Sequence, residues 1–255
     1  MTASASLPPL LETQGLSKSF GALVVADSID LTLRPGARHA LIGPNGAGKT
    51  TFVNLVTGTL QPTAGRILMG GEEVTGLSPE ARVRKGVGRT FQINSLFNRL
   101  SVLENVAIAV SERDGFAGRI FRARKAERRA FEEAYAILEG IGIGMEALRP
   151  VAEIAYGRQR LVEIAIALAL KPKVLLLDEP AAGIPSAESH VVLDVVEALP
   201  PDIAVLIIEH DMALVFRLAS RITVLVQGAI LVEGTPQEIA HDPKVKEVYL
   251  GEKSH

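Results

Sequence analysis

Residues 43 to 50 read Gly43-Pro44-Asn45-Gly46-Ala47-Gly48-Lys49-Thr50, the pattern G-x-x-x-x-G-K-T. A run of this kind holds phosphate. Its glycines let successive backbone N–H groups turn toward an anion, the lysine adds a point charge, and the threonine hydroxyl can ligate Mg²⁺. Such a loop must lie between a strand and a helix. His39-Ala40-Leu41-Ile42 supplies the strand, and Thr51-Phe52-Val53-Asn54-Leu55-Val56 supplies the helix. That helix, opening at Thr51, presents its positive end to the same anion. The ligand these residues imply is a nucleoside triphosphate.

Two further clusters can act on a bound triphosphate. Val174-Leu175-Leu176-Leu177 is an apolar run that ends in Asp178-Glu179. In open α/β sheets ligands sit outside the carboxyl ends of the strands, the edge where the phosphate loop must also lie. Strand alternation points the two acids in different directions, so Asp178 suits Mg²⁺ and Glu179 suits the attacking water. Ile207-Ile208-Glu209-His210-Asp211 repeats the arrangement, and His210 can reach the γ-phosphate or the water from that edge. Gln92, in Gly88-Arg89-Thr90-Phe91-Gln92, stands where strand character gives way to helix and can sense Mg²⁺ or water. His39, His190, His241 and His255 have no metal-ligand spacing, which argues against zinc.

The elements that must carry these residues alternate between strand and helix. The runs at 174–177 and 203–208 are continuously apolar, as expected of strands buried on both faces of a parallel sheet. Leu31 to Gly36 reads as a strand and turn, and Gly65 to Gly71 as a short edge strand closed by glycines. From Ser101 the pattern becomes helical. Ser101-Val102-Leu103-Glu104 fits a capping box, and Ala130, Phe131, Ala134, Ile137 and Leu138 recur at helical spacing. The expected fold is α/β with an inserted helical subdomain. The core would be formed by residues 1–91 and 171–255 and the insert by 92–170.

The chain has 255 residues, 47% of them hydrophobic, a formal charge of −2 and no cysteine. It can bury a large core, cannot form disulfides and carries no field that favours nucleic acid. No apolar stretch approaches the ~20 residues of a membrane helix, and the first six residues lack the basic start of a secretory signal. Seven basic residues lie between Arg113 and Arg129, against Asp114 and Glu127. They read as a solvated helix face, with anionic lipid headgroups as a second reading.

Taken in order, these motifs resemble the ATP-binding subunit of an ATP-binding-cassette (ABC) transporter. Within that group they are similar to the larger of the two ATPases in branched-chain amino acid uptake systems. The resemblance covers roughly residues 13 to 252. It also rests on Ala155-Tyr156-Gly157-Arg158-Gln159-Arg160, Leu177-Asp178-Glu179-Pro180-Ala181-Ala182-Gly183 and the closing segment from Gly234-Thr235-Pro236 to Tyr249-Leu250-Gly251.

The resemblance implies a P-loop NTPase with a RecA-like core, an antiparallel β subdomain and a helical subdomain. It also implies hydrolysis of Mg²⁺-bound ATP between two cassettes. Phe20 would stack on adenine, and Gly43 to Thr51 would bind the nucleotide. Gln92 would link nucleotide to permease, and Thr50, Gln92 and Asp178 would serve the metal. Glu179 would be the general base and His210 the switch histidine. Ala155, Tyr156, Gly157 and Arg158 would act on ATP held by the opposite subunit. Two departures stand out: Ala155 replaces the usual signature serine, and Pro185 replaces an Asp or Asn in the loop after the acidic pair. With the serine hydroxyl gone, Gly157 and the following helix N-terminus must supply the N–H donors.

The implied partners are membrane permease subunits, a second ATPase (identical or sister) and, indirectly, a solute-binding protein. The implied place is the cytoplasmic face of the inner membrane. The alternatives are an exporter or lipid-transport ATPase, and a soluble ABC clamp in DNA repair or metal-cluster assembly.

Overall fold

The computed structural model describes residues 8–90, 96–115 and 123–251; Gln92 and the basic Arg119 and Arg122 lie outside them. In chain order the elements begin with β1 (Leu11–Phe20), β2 (Leu23–Leu33), β3 (Arg38–Ile42) and α1 (Lys49–Thr57). They continue with β4 (Ala64–Met69), β5 (Glu72–Glu73), α2 (Pro79–Lys85) and β6 (Val87–Arg89). Next come α3 (Val102–Arg113), α4 (Ala123–Gly140), α5 (Tyr156–Ala169), β7 (Val174–Asp178) and α6 (Ser186–Glu197). The last are β8 (Ala204–Ile208), α7 (Met212–Leu218), β9 (Arg221–Val226), β10 (Ala229–Gly234), α8 (Pro236–His241) and α9 (Pro243–Gly251).

Two compact units result: residues 1–87, 173–179 and 200–255 form one, and 88–172 with 180–199 form the other. The segment 180–199, placed with the core in the sequence reading, groups with the second unit because α6 packs on α5.

The first unit holds the strands of both sheets except Gly88 and Arg89 of β6. One is antiparallel, in the order β2-β1-β4-β5. The other runs β10-β9-β3-β8-β7-β6, with β3 parallel to β8 and β9, and β7 parallel to β8. Every residue of β7 and β8 is buried, which is why their sequences show no alternation. β4 is not an edge strand as expected from its flanking glycines; it pairs with both β1 and the two-residue β5. Gly65 is needed there for close approach, since a Cβ would stand 2.3 Å from the Gly15 carbonyl oxygen.

One buried cation ties α1 to the segment after it. Arg82 is fully buried, and its guanidinium donates to the carbonyls of Leu55 (2.5 Å), Val56 (2.9 Å), Thr75 (2.6 Å) and Leu77 (3.2 Å). Leu55 and Val56 lie in the last turn of α1, where helix carbonyls lack intrahelical partners and carry the negative end of the dipole. Arg82→Ala should lower unfolding free energy by roughly 3 kcal/mol, measured by urea unfolding. A change under about 0.5 kcal/mol would show that these bonds are replaceable by water.

His39, at the start of β3, is a packed residue. Its Nε2 lies 2.7 Å from Thr223 Oγ1, which donates to Glu233 Oε2 at 3.0 Å. Burial pushes the His39 pKa down to about 4.

The second unit is helical. The predicted capping box is present: Ser101 accepts from the Glu104 N–H, and Glu104 accepts from the Ser101 N–H. Arg113 is not the solvated charge the sequence pattern suggested. It makes two bonds of 2.8 Å to Glu133 and one of 2.7 Å to the Ala169 carbonyl, clamping α3 to α4 and α5. The guanidinium bonds hold the Glu133 carboxyl down at about 2.

Candidate functional site

The phosphate loop connects β3 to α1. Gly43 has φ +153° and is buried, and a Cβ on it would stand 2.1 Å from the Leu225 carbonyl oxygen. Gly48, with φ +102°, approaches the Val25 carbonyl in the same way, at 2.6 Å. The loop closes on itself through Ala47 N–H to the Pro44 carbonyl (3.1 Å). It is fastened to the β9–β10 turn by Gly228 N–H to the Ala47 carbonyl (2.9 Å), and that turn is in turn bonded to Asp27 of β2. Asn45, Gly46 and Thr50 are exposed, so this cradle is open on one side. Lys49 Nζ donates to the carbonyls of Gly43 (2.6 Å) and Pro44 (2.9 Å), which keeps the ammonium at the loop.

β8 and β7 follow β3 in the sheet, so Asp178, Glu179 and His210 leave the same carboxyl edge as the loop. Asp178 closes β7 and is 5% exposed. Strand alternation does not set the direction of Glu179. It lies beyond the last strand residue at φ +46°, a left-handed conformation that costs a non-glycine residue roughly 1–2 kcal/mol. Its N–H is pinned to the Ile208 carbonyl at 2.9 Å. This turn brings Glu179 Oε1 to 3.3 Å from His210 Nδ1. Backbone strain held by a neighbouring strand beside two chemistry-bearing side chains is characteristic of a working site.

Thr50 and Asp178 offer hard oxygen donors, the chemistry that suits Mg²⁺. No group of three or more His, Asp or Glu able to hold a metal occurs among the described residues. Mg²⁺ is commonly bound by one or two protein oxygens together with phosphate and water, a requirement that Thr50 and Asp178 would fit.

Phe20 ends β1, is 54% exposed and has Lys18 Nζ 4.9 Å from its ring centroid. An open aromatic face with a cation beside it suits stacking by a base. Gln92 lies outside the described residues.

Ala155, Tyr156, Gly157 and Arg158 stand in the second unit, at the start of α5. Ala155 is the N-cap and provides no side-chain bond. The Tyr156 Oη accepts from Arg160 at 2.9 Å, and its ring lies where a Cβ on Gly183 would come within 3.2 Å. Arg160 pairs with Glu163 at 2.8 Å. Pro185 is the N-cap of α6 and likewise provides no side-chain bond.

Three contributors were not anticipated. Gly228, in the β9–β10 turn, and Val25, in β2, shape the loop from outside its own segment, though Gln227-Gly228 between two apolar runs is a hairpin signal. Glu209 is buried, and its Oε2 accepts from the N–H groups of His210 and Asp211. Burial pushes its carboxyl above the ordinary range, against those two bonds.

Comparison with known proteins gives these residues a context. The family profile "ABC transporter" matches residues 26–182. A second profile, "Branched-chain amino acid ATP-binding cassette transporter", matches 229–255. The chain is 40% identical over 251 residues to the high-affinity branched-chain amino acid transport ATP-binding protein BraF of Pseudomonas aeruginosa, covering 96% of this chain and 98% of that one. It is 39% identical, with the same coverage, to LivG of Escherichia coli, described in the same words.

A crystal structure of a nucleotide-free ATP-binding cassette from an ABC transporter superposes with TM-score 0.83 at 30% identity, over 94% of this chain and 98% of that one. The ADP conformation of an ABC transporter cassette superposes with TM-score 0.82 at 29% identity, over 95% and 99%. With its phosphate loop, its strand-end acids and full-length similarity of this order, the chain belongs to the ATP-binding subunits of ABC transporters, in the branched-chain amino acid cassette family.

Proposed function

We propose that this chain hydrolyses ATP to energise an importer for branched-chain amino acids or closely related solutes. The observation that carries the reading is the convergence of the Lys49 loop, Asp178, Glu179 and His210 on neighbouring strand ends of one sheet. The loop N–H groups and Lys49 hold the phosphates, and Phe20 takes the adenine face. Thr50, Asp178 and Gln92 would hold Mg²⁺, which when bound would neutralise charge on the phosphate oxygens. Glu179 orients and deprotonates the attacking water, and His210 holds the attack geometry at the γ-phosphate. Catalysis of this kind is positioning plus charge stabilisation.

The second half of each site comes from a second ATPase, identical or a sister. With Ala155 as N-cap, the first-turn N–H groups of α5 meet no competing side-chain acceptor from that position. The Arg158 and Gln159 N–H groups donate to the Ala155 carbonyl at 2.9 and 3.0 Å, so it is the helix N-terminus at Tyr156 and Gly157 that is offered to the partner's γ-phosphate.

No helix among the described residues is long and apolar enough to cross a membrane. Attachment at the cytoplasmic face therefore falls to permease subunits, which together with a solute-binding protein choose the solute. A cavity of about 260 Å³ in the helical unit, lined by Leu96, Phe97, Ile108, Glu163 and Ile166, is a socket suited to such a subunit. Phe97 and Ile108 at this cavity are exposed.

Affinity purification of the chain from detergent-solubilised native membranes tests the reading. It should bring down polytopic permease subunits, and Ile108→Asp should reduce their recovery at least about tenfold. A permease-free dimer whose ATPase is stimulated by DNA would favour the clamp alternative instead.

A further inference from the structure

β8 is followed directly by a carboxylate, Glu209, that the phosphate chemistry does not use. Glu209 is 2% exposed, one residue past a strand whose every residue is buried. Burying a carboxylate costs several kcal/mol unless hydrogen bonds compensate, and an apolar residue would extend the buried run at no such cost. The carboxylate is directed at its neighbours. Its Oε2 accepts from His210 N–H at 3.1 Å and Asp211 N–H at 3.4 Å, and lies 3.8 Å from His210 Nδ1.

The flanks of this turn are independently fixed. On the strand side the Ile208 carbonyl accepts from Glu179 N–H at 2.9 Å. On the helix side Asp211 caps α7 by accepting from Ala213 N–H at 2.8 Å. His210 between them has a side chain that is 68% exposed, so packing does little to hold it. The carboxylate nearest its ring is Glu179, with Oε1 3.3 Å from Nδ1; Glu209 Oε2, at 3.8 Å, is beyond hydrogen-bond reach of the ring and acts on the backbone.

We propose that Glu209 is a positioning residue for ATP hydrolysis, fixing the backbone of His210 and Asp211 and so the direction from which the imidazole projects. This rests on the assignment of His210 to the hydrolytic site. Glu209 touches no reacting atom. It acts through His210, whose N–H it accepts at 3.1 Å.

The test is a double-mutant cycle on the full chain in its transporter complex, read as kcat and KM for ATP. Glu209→Ala should lower kcat about 10- to 100-fold with KM within about twofold. Glu209→Gln, which keeps an acceptor oxygen for the two N–H groups, should recover most of that loss. In a His210→Ala background, Glu209→Ala should have no further effect, because a residue acting through His210 has nothing left to position.

Full additivity of the two losses, or wild-type kcat in Glu209→Ala beside an impaired His210→Ala, would overturn the role of Glu209 alone. Wild-type turnover by His210→Ala would overturn the assignment of His210 itself, and the proposal with it. A measurement on the unmodified chain is independent of whether the variants fold. The His210 and Asp211 amide protons should be protected from hydrogen exchange by their bonds to the Glu209 carboxylate, and unprotected exchange of both would overturn the proposal.

Discussion

Glu179→Gln should lower ATP turnover by about 10²- to 10⁴-fold, the contribution typical of a positioned general base, while ATP affinity stays the same or rises. Glutamine is nearly isosteric with glutamate and can keep the approach to His210 that Glu179 makes at 3.3 Å. Its amide cannot accept a proton from water. Removing one negative charge beside Asp178 also relieves repulsion of the phosphates. The variant should therefore accumulate with ATP bound between two cassettes. Single-turnover phosphate release measures the chemical step, and size-exclusion chromatography with and without ATP measures the trapped dimer. Turnover within threefold of wild type would remove Glu179 from the role of base. Because the residue is held at φ +46° by its bond to Ile208, Glu179→Gly is a useful contrast. It relieves the strain yet should be as inactive as the glutamine variant, separating strain from chemistry.

Gly43→Ala should abolish nucleotide binding and cost on the order of 3 kcal/mol of stability. The added Cβ would meet the Leu225 carbonyl oxygen at 2.1 Å and the Ala47 Cβ at 3.1 Å. Neither neighbour can give way cheaply. Leu225 is fully buried in β9, between β3 and β10, and Ala47 is tied to Gly228 by a 2.9 Å bond. The loop must move as a whole, and its N–H groups lose their common direction. Gly46→Ala provides the control. No atom lies within 4 Å of a Cβ there, and only the φ of +75° is unfavourable. That substitution should cost about 1 kcal/mol and leave ATP affinity within roughly tenfold. Urea unfolding and titration with ATP distinguish the two. Equal losses at both positions would mean that backbone conformation, rather than the approach of Leu225, governs the loop.

These variants differ in how far sequence alone predicts them. The Gly43–Thr50 loop was legible because its chemistry is local: eight consecutive residues carry the donors, the charge and the turn. β7 and β8 were legible because burial on both faces removes alternation, and the Ser101–Glu104 box because both of its bonds span three residues. Asp178, Glu179 and His210 could be placed on one edge because parallel strands deliver their carboxyl ends together.

What stayed hidden depends on contacts between segments far apart in the chain. Sequence alternation could not aim Glu179, since Ile208, 29 residues later, holds it out of strand geometry. The pattern around Arg113 looked like a solvated charge run, because its partners Glu133 and Ala169 come from other helices. Nothing local marks Arg82 as the cation that collects four carbonyls, or Glu209 as the buried acid under His210. The sequence by itself determined which groups this protein can use on a triphosphate and the sheet edge where they gather. Only the tertiary structure decided their aim, because the direction of a side chain at a strand end is set by the neighbouring strand's hydrogen bonds and by the volume that buried residues leave open.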